Sequence, residues 1–485
     1  MMKKHIAKRF TALLLSLVTL SSFLSFAGCG QRGAANVTLD PKNPTVIELW
    51  HYYNGTQKVA LDNLITEFNE TVGQEKGIVV DAYSQGSIPE LTEKVVDAAN
   101  KKVGAGDVPE IFAAYADTAY TVDKLGLVAP LDKYLTEEEL SEYIPGYIEE
   151  GRFDKEGALK IFPIAKSTEV FMLNKTDWDK FAAATGASLD SLKTIEGLTA
   201  TAKRYFEWSN GKAFFGRDAM ANYFIIGCKQ LGVEIFSVKD GEVSINCDEA
   251  VLRKLWDNYY VPYVNGYFAA YGKFRSDDAK TGDIIALVGS TSGAAYFPDK
   301  VTVNDTESYP IETYVMAPPV FEGGEKVAVQ QGAGMVVSKS TEQKEYASVE
   351  FLKWLTDKER NIDFSISTGY MPVKQSANDL SLIEQALKKL EDSAVTRNLT
   401  AALPVGVEMT KDHTMYTSKA FEDGTAARAV LEDSMQKQAA ADREQVLKLL
   451  SEGKSQQEAV ARFVTDESFQ AWYQSFQSEL MQLVK

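Results

Sequence analysis

Side chains able to grip a polar small molecule recur at a few points in this chain, each just past an apolar run. Trp50-His51-Tyr52-Tyr53-Asn54-Gly55 follows Val46-Ile47-Glu48-Leu49. Aromatic faces stack on the C–H faces of sugars, while hydroxyl, imidazole and amide groups read hydroxyls. Trp50, His51 and Tyr52 therefore form a candidate ligand floor. Core packing by Trp50 and a turn at Asn54-Gly55 account for the same residues without a ligand. Tyr83-Ser84-Gln85-Gly86 and Tyr115-Ala116-Asp117 stand in equivalent places. Asp117 can accept hydrogen bonds from ligand hydroxyls, or it can cap a helix. Ser167 lies in Lys166-Ser167-Thr168-Glu169. In Gly289-Ser290-Thr291-Ser292-Gly293 the small residues let backbone N–H groups approach a ligand, and Ser290 and Ser292 add hydroxyls. That segment lacks the spacing and the lysine of a phosphate loop, and an ordinary turn is its plain alternative. The tyrosine-rich stretch Asn258 to Phe274 reads as helix and loop packing rather than a binding wall. Tyr370 sits at the tip of Ser367-Thr368-Gly369-Tyr370-Met371-Pro372 and is a further candidate.

Catalytic patterns are missing. There is no GxSxG, HExxH or GxGxxG, and among 68 acidic residues a pair of carboxylates carries no weight as a glycosidase signature. No metal or cofactor is expected, because no CxxC and no Cys/His cluster occurs. The three cysteines are Cys29, Cys228 and Cys247. The last two can pair outside the cell or sit apart as small buried hydrophobes. The formal charge of −17 disfavours nucleic acid, which needs Lys and Arg against its phosphates, and anionic lipid headgroups likewise.

The first thirty residues carry an address. Lys3, Lys4, Lys8 and Arg9 form a basic head, an apolar run follows from Thr11 to Phe26, and Ala27-Gly28 precede Cys29. This is the layout of an export signal. A cysteine directly after the small pair resembles a bacterial lipoprotein signal, with Phe26 where leucine is usual. The implied lipid on Cys29 holds the chain at the extracytoplasmic face of the cell membrane; simple secretion is the alternative. An uncleaved anchor is disfavoured, since the run is shorter than the ~20 residues a spanning helix needs and serines interrupt it.

The elements that must position these residues alternate. Val46–Trp50, Gly77–Tyr83 and Glu110–Ala114 read as strands, with helical periodicity over Leu61–Phe68 and Leu91–Lys102 between them. That β-α-β-α-β order implies parallel strands. Further strands are expected at Val170–Leu173, Ile284–Val288 and Gly332–Lys339. Capping boxes are expected at Thr136, Ser340 and Ser455, and helices over the last sixty residues. The length beyond the signal exceeds one ordinary core, so two lobes are expected. The expected division is 1–28 signal, 29–44 flexible tether, 45–163 plus 282–328 first lobe, and 164–281 plus 329–485 second lobe. Small molecules favour strand carboxyl ends and clefts between domains.

Several stretches together resemble the extracellular solute-binding proteins of ABC importers, the maltose-binding-like group with its sugar and glycerol-3-phosphate branches. These are Leu49-Trp50-His51, Phe68-Asn69, Phe162-Pro163 with Ser167-Thr168 and Leu173-Asn174-Lys175, Gly282-Asp283, Ser290–Gly293, Gly332–Lys339, Phe351–Leu355, Ser367–Val373 and Gly453–Ala459. The resemblance implies an α/β, two-lobed type II periplasmic-binding-protein-like fold. Each lobe would be a mixed or parallel sheet flanked by helices, with the ligand cleft at the hinge. It also implies a monomer that binds without catalysis and delivers its ligand to permease subunits. Contacts would come from Trp50 or His51, Tyr83, Ser167, Ser290 or Ser292, Gly332 and Tyr370. Phosphate-binding relatives use a late arginine, whereas Tyr416–Phe421 has none. A carbohydrate is thus expected, with a glycerophosphodiester as the alternative ligand. A secreted carbohydrate-active enzyme or a surface receptor of the same fold are the alternative functions.

Overall fold

A computed structural model describes residues 37–239 and 242–484; the signal segment and Cys29 lie outside them. Eight strands build two sheets: β1 Thr45–His51, β2 Ile78–Ser84, β3 Ile111–Ala114, β4 Glu169–Asn174, β5 Phe215–Arg217, β6 Ala286–Ser290, β7 Thr313–Met316 and β8 Gly334–Val337. The helices that matter below are α1 Gly55–Glu70, α2 Ala116–Lys124, α3 Met220–Gln230, α4 Lys358–Thr368 and α5 Gly424–Ser451.

The first sheet has the order β8-β3-β1-β2. β1 runs parallel to both β2 and β3, and β8 is antiparallel to β3. Alternation in β1 buries Ile47, Leu49 and His51 on one face. Ile47 and Leu49 join Phe68, Ile78, Phe112, Met335 and Phe351 in the core of this lobe. The second sheet has the order β7-β4-β6-β5, with β4 antiparallel to both neighbours and β5 parallel to β6. Phe171, Phe214, Phe224, Trp256 and Trp472 dominate its core. Each large apolar side chain buried in this way contributes on the order of 2 kcal/mol. The two lobes expected from the sequence are present, each with a mixed sheet. The stretch from Asn258 to Phe274 does pack, with Tyr259, Tyr260, Tyr263 and Phe268 buried.

Three expectations need correction. The strand in 282–328 was placed with the first lobe, but β6 pairs with β4 and β5 in the second sheet. The strand after residue 329 was placed with the second lobe, but β8 pairs with β3 in the first. Chain crossings are long-range pairings, and local periodicity does not encode them. Residues 37–44, expected as a tether, lie on the first lobe. Val37 and Leu39 pack against its core, and a Cβ at Gly77 would lie 2.5 Å from the Asp40 carbonyl oxygen. The boxes at Thr136 and Ser455 form as expected. At Ser340 the cap moves to Thr341, whose side chain accepts from the Lys344 N–H.

Candidate functional site

The chain passes between the lobes three times, and the passages pair with one another. Ser167 and Gln331 exchange backbone hydrogen bonds at 2.8 and 3.0 Å, while the Lys166 N–H donates to the Met371 carbonyl at 3.1 Å. A buried cation fastens this hinge. Lys166 is 1% exposed, and its Nζ donates to both oxygens of Glu150 and to the Gly332 carbonyl, each at 2.8 Å. Gly332 has φ +101, which favours glycine, and a Cβ there would lie 3.4 Å from the Tyr370 ring.

Above the hinge lies a cleft of about 780 Å³, lined mostly by the second lobe. Gln57 at the start of α1 comes from the first lobe and Gln331 from the hinge. Ser290, Ser292, Asp218, Phe274 and Tyr296 come from the second. Phe274 and Tyr296 are 54% and 71% exposed, which leaves their rings open to a partner. Ser290 caps the short turn after β6: its Oγ accepts the Gly293 N–H at 2.9 Å and lies 3.0 Å from Ser292 Oγ. The turn chemistry allowed by the sequence is therefore real, and it faces the cleft. Among the described residues neither hydroxyl has a basic hydrogen-bond partner of the kind a nucleophile requires.

Tyr370 closes the first-lobe side. Gly369, at φ +78, ends α4 and lets the chain turn. The Tyr370 hydroxyl then lies 3.1 Å from that of Tyr52 and faces Ser292. Burial pushes both tyrosine hydroxyls above their usual titration range, so both remain neutral donors. Asp218 ends the β5 segment. Its Oδ1 accepts the Arg275 N–H at 2.9 Å, and burial raises its pKa. Behind it Glu169 pairs with Arg217 at 2.7 Å.

The residues picked out from the sequence separate into groups. Tyr52, Tyr370, Ser290 and Ser292 come together across the cleft. Ser167 and Gly332 are in the hinge beneath it. Tyr83 is half exposed at the end of β2. His51 is not in the cleft: it is fully buried, and its Nδ1 accepts the Tyr53 N–H at 3.1 Å. Trp50 is half-buried, and its indole N–H donates back along the strand to Glu48 at 2.5 Å. Asp117 sits in the first turn of α2, where Tyr115 is the cap, and it faces α5 of the second lobe. Sequence reasoning missed Gln57, Asp218, Tyr296 and Gln331, and took Phe274 only as packing. Arg217-Asp218 at a strand's carboxyl end was the available signal.

The stretch 416–421 has no arginine, and the next one along the chain is Arg428. Arg428 of α5 donates through Nη2 to Asn222 Oδ1 at 2.6 Å. Asn222 in turn donates to Glu169 and Gln331, each at 3.0 Å.

Known proteins share this fold. The family whose sequence pattern matches residues 63–394 is described as bacterial extracellular solute-binding protein. Among solved structures, the cyclic alpha-maltosyl-1,6-maltose binding protein of Arthrobacter globiformis is 17% identical. The match covers 91% of this chain and 100% of that one, with a TM-score of 0.64. The GacH receptor of Streptomyces glaucescens, solved unliganded and with acarbose, is 16% identical over 90% of this chain and 99% of its own, with a TM-score of 0.61. UgpB of Mycobacterium tuberculosis, solved with glycerophosphocholine, is 16% identical over 90% of this chain and 100% of its own, with a TM-score of 0.63.

Proposed function

Because this chain belongs to the bacterial extracellular solute-binding proteins, we propose that it captures a carbohydrate between its lobes, closes on it and delivers it to an ABC permease while lipid on Cys29 holds it at the membrane. The observation that carries this reading is the composition of the cleft walls. Hydroxyls of Ser290 and Ser292, amides of Gln57 and Gln331, and the Asp218 carboxylate offer donors and acceptors on several sides. The open rings of Phe274 and Tyr296 add apolar faces. A sugar presents the complementary alternation of hydroxyl edges and C–H faces. Tyr370 and Tyr52 add two neutral hydroxyls from the first lobe. A solute touching both walls favours the closed form only through the contacts it gains there. The same class is supported by structural neighbours, one named as a cyclic alpha-maltosyl-1,6-maltose binding protein and one solved with acarbose.

A second reading is a glycerophosphodiester ligand, of the kind UgpB was solved with, with Arg428 as the arginine nearest in sequence to 416–421. Its guanidinium is already engaged by Asn222, which leaves less of its bidentate fork for a phosphate.

The test is a thermal-shift screen with maltodextrins, xylo-oligosaccharides and glycerophosphocholine, run beside a product assay. A carbohydrate that raises the melting temperature and is recovered intact supports the proposal. Hydrolysis, or a shift with glycerophosphocholine alone, contradicts it. Metabolic labelling with palmitate, lost in Cys29→Ala, tests the anchor.

A further inference from the structure

A row of polar side chains from segments remote in sequence backs the cleft wall. Asn222, on α3, is 1% exposed. Its Oδ1 accepts from Arg428 Nη2 of α5 at 2.6 Å. Its Nδ2 donates to Glu169 Oε1 of β4 and to Gln331 Oε1 of the hinge, each at 3.0 Å. The other Glu169 oxygen takes Arg217 Nη2 at 2.7 Å, so a buried ion pair closes that branch.

The ends of this row dictate the direction of its bonds. A guanidinium only donates, and an ion-paired carboxylate only accepts. Turning the Asn222 amide over would set donor against donor at Arg428 and acceptor against acceptor at Glu169. Asn222 must therefore offer an N–H to Gln331, and Gln331 must meet it with oxygen. The Gln331 backbone is committed as well, to both polar groups of Ser167. What remains is Nε2, which has no hydrogen-bond partner among the described residues, on a side chain that lines the cleft.

We infer that Gln331 is a fixed hydrogen-bond donor to the solute, with Asn222 as its positioning residue and Arg428 at the head of the relay. Guanidinium, asparagine and glutamine direct their N–H groups the same way, and aligned bonds polarise one another. A charge behind the wall thereby strengthens a neutral donor inside the cleft. The opposite need is met by Asp218. Its Oδ1 accepts the Arg275 N–H, and its Oδ2 is left as an acceptor on the same cleft. A hydroxyl can accept from one and donate to the other, whereas a phosphodiester oxygen can only accept. The inference rests on the carbohydrate reading for its solute and deepens it: the group recognised by Gln331 is a hydroxyl oxygen. The direction of the amide depends on no solute.

Neutron diffraction from ligand-free crystals exchanged into D2O tests the direction, because it places the deuterons that X-ray maps at ordinary resolution do not. Both amide deuterons of Gln331 should lie on the atom facing the cleft, and none on the atom facing Asn222. A reversed amide, or one divided between both orientations, would overturn the inference. Calorimetric titration with maltotriose tests the consequence. Gln331→Glu keeps the shape but loses the donor, and should bind roughly tenfold more weakly. Asn222→Ala should weaken binding in the wild-type background and add nothing in Gln331→Met, because Asn222 acts only through Gln331. Equal losses in the two backgrounds would overturn the positioning role. Circular dichroism melts identify any variant that unfolds, and the deuteron map needs no variant. A wild type that does not bind maltotriose would count against the carbohydrate reading, and the deuteron map would then decide the relay by itself.

Discussion

Lowering the pH should destabilise the first lobe through His51, and the size of the effect follows from where β1 puts that ring. His51 is fully buried, with Nδ1 accepting from Tyr53 and Nε2 without a hydrogen-bond partner among the described residues. Burial lowers its pKa from 6.5 to about 4; Asp62 opposes that shift and Lys58 adds to it. The folded state therefore keeps the ring neutral at a pH where the unfolded chain already binds a proton. Between these values the unfolded state holds more protons, so stability rises with pH. The contribution is complete above pH 6.5 and is lost as pH falls toward 4. A span of about 2.5 pKa units at 1.36 kcal/mol each gives a loss of about 3 kcal/mol. The assay compares urea unfolding at pH 7.5 and pH 4 in the wild type and in His51→Asn, whose amide oxygen can replace Nδ1 as acceptor. Carboxylate effects are common to both and cancel in the difference. The wild type should lose about 3 kcal/mol more than the variant. Equal losses would refute the claim that this histidine is held neutral inside the lobe.

Other predictions concern the cleft, the hinge and the thiols. Tyr370→Phe should weaken carbohydrate binding by about 1 kcal/mol, the usual net worth of one hydrogen bond, while calorimetric titration of Tyr370→Ala should show at least a tenfold loss with an unchanged fold. Lys166→Met leaves Glu150 buried without its cation and should cost roughly 3–5 kcal/mol in denaturant unfolding; a near-neutral result would mean the hinge tolerates the loss of its cation. Cys228 and Cys247 are both free and buried, and burial pushes the Cys247 thiol up to about 11 and that of Cys228 higher still. Thiol titration should find them silent in the native protein and both reactive after denaturation, with no reductant required.

The legible parts of this fold are those written in local periodicity. Alternation in Val46–Trp50 and helical spacing in Leu61–Phe68 fixed the first βαβ units, because each pattern is set by which face meets the core. Parity also shows what such reading lacks. It places Trp50 and His51 on opposite faces of β1 but does not say which face is inside, and the buried one proved to be His51. The second sheet was assembled incorrectly from sequence because β6 and β8 swap lobes through crossings that only long-range pairing reveals. Ser290, Ser292, Tyr52 and Tyr370 could be singled out because they follow strands or turns. Asn222 and Arg428 were not, since both lie on helices whose neighbours come from remote segments. Asp117 was noticed for the right reason, a carboxylate past a strand end, but its packing against Gly424 lies some three hundred residues away in sequence.

The central claim is that one solute sits between the lobes, over the hinge. A crystal structure of the protein with the carbohydrate that gives the largest thermal shift tests it most directly. Ligand density should lie against Ser290, Ser292 and Gln331, with an aromatic face of Phe274 or Tyr296 on the sugar and Tyr370 within hydrogen-bond reach. Density confined to the outer groove between α5 and the helix Asp466–Leu483, with the cleft left to solvent, would contradict the account.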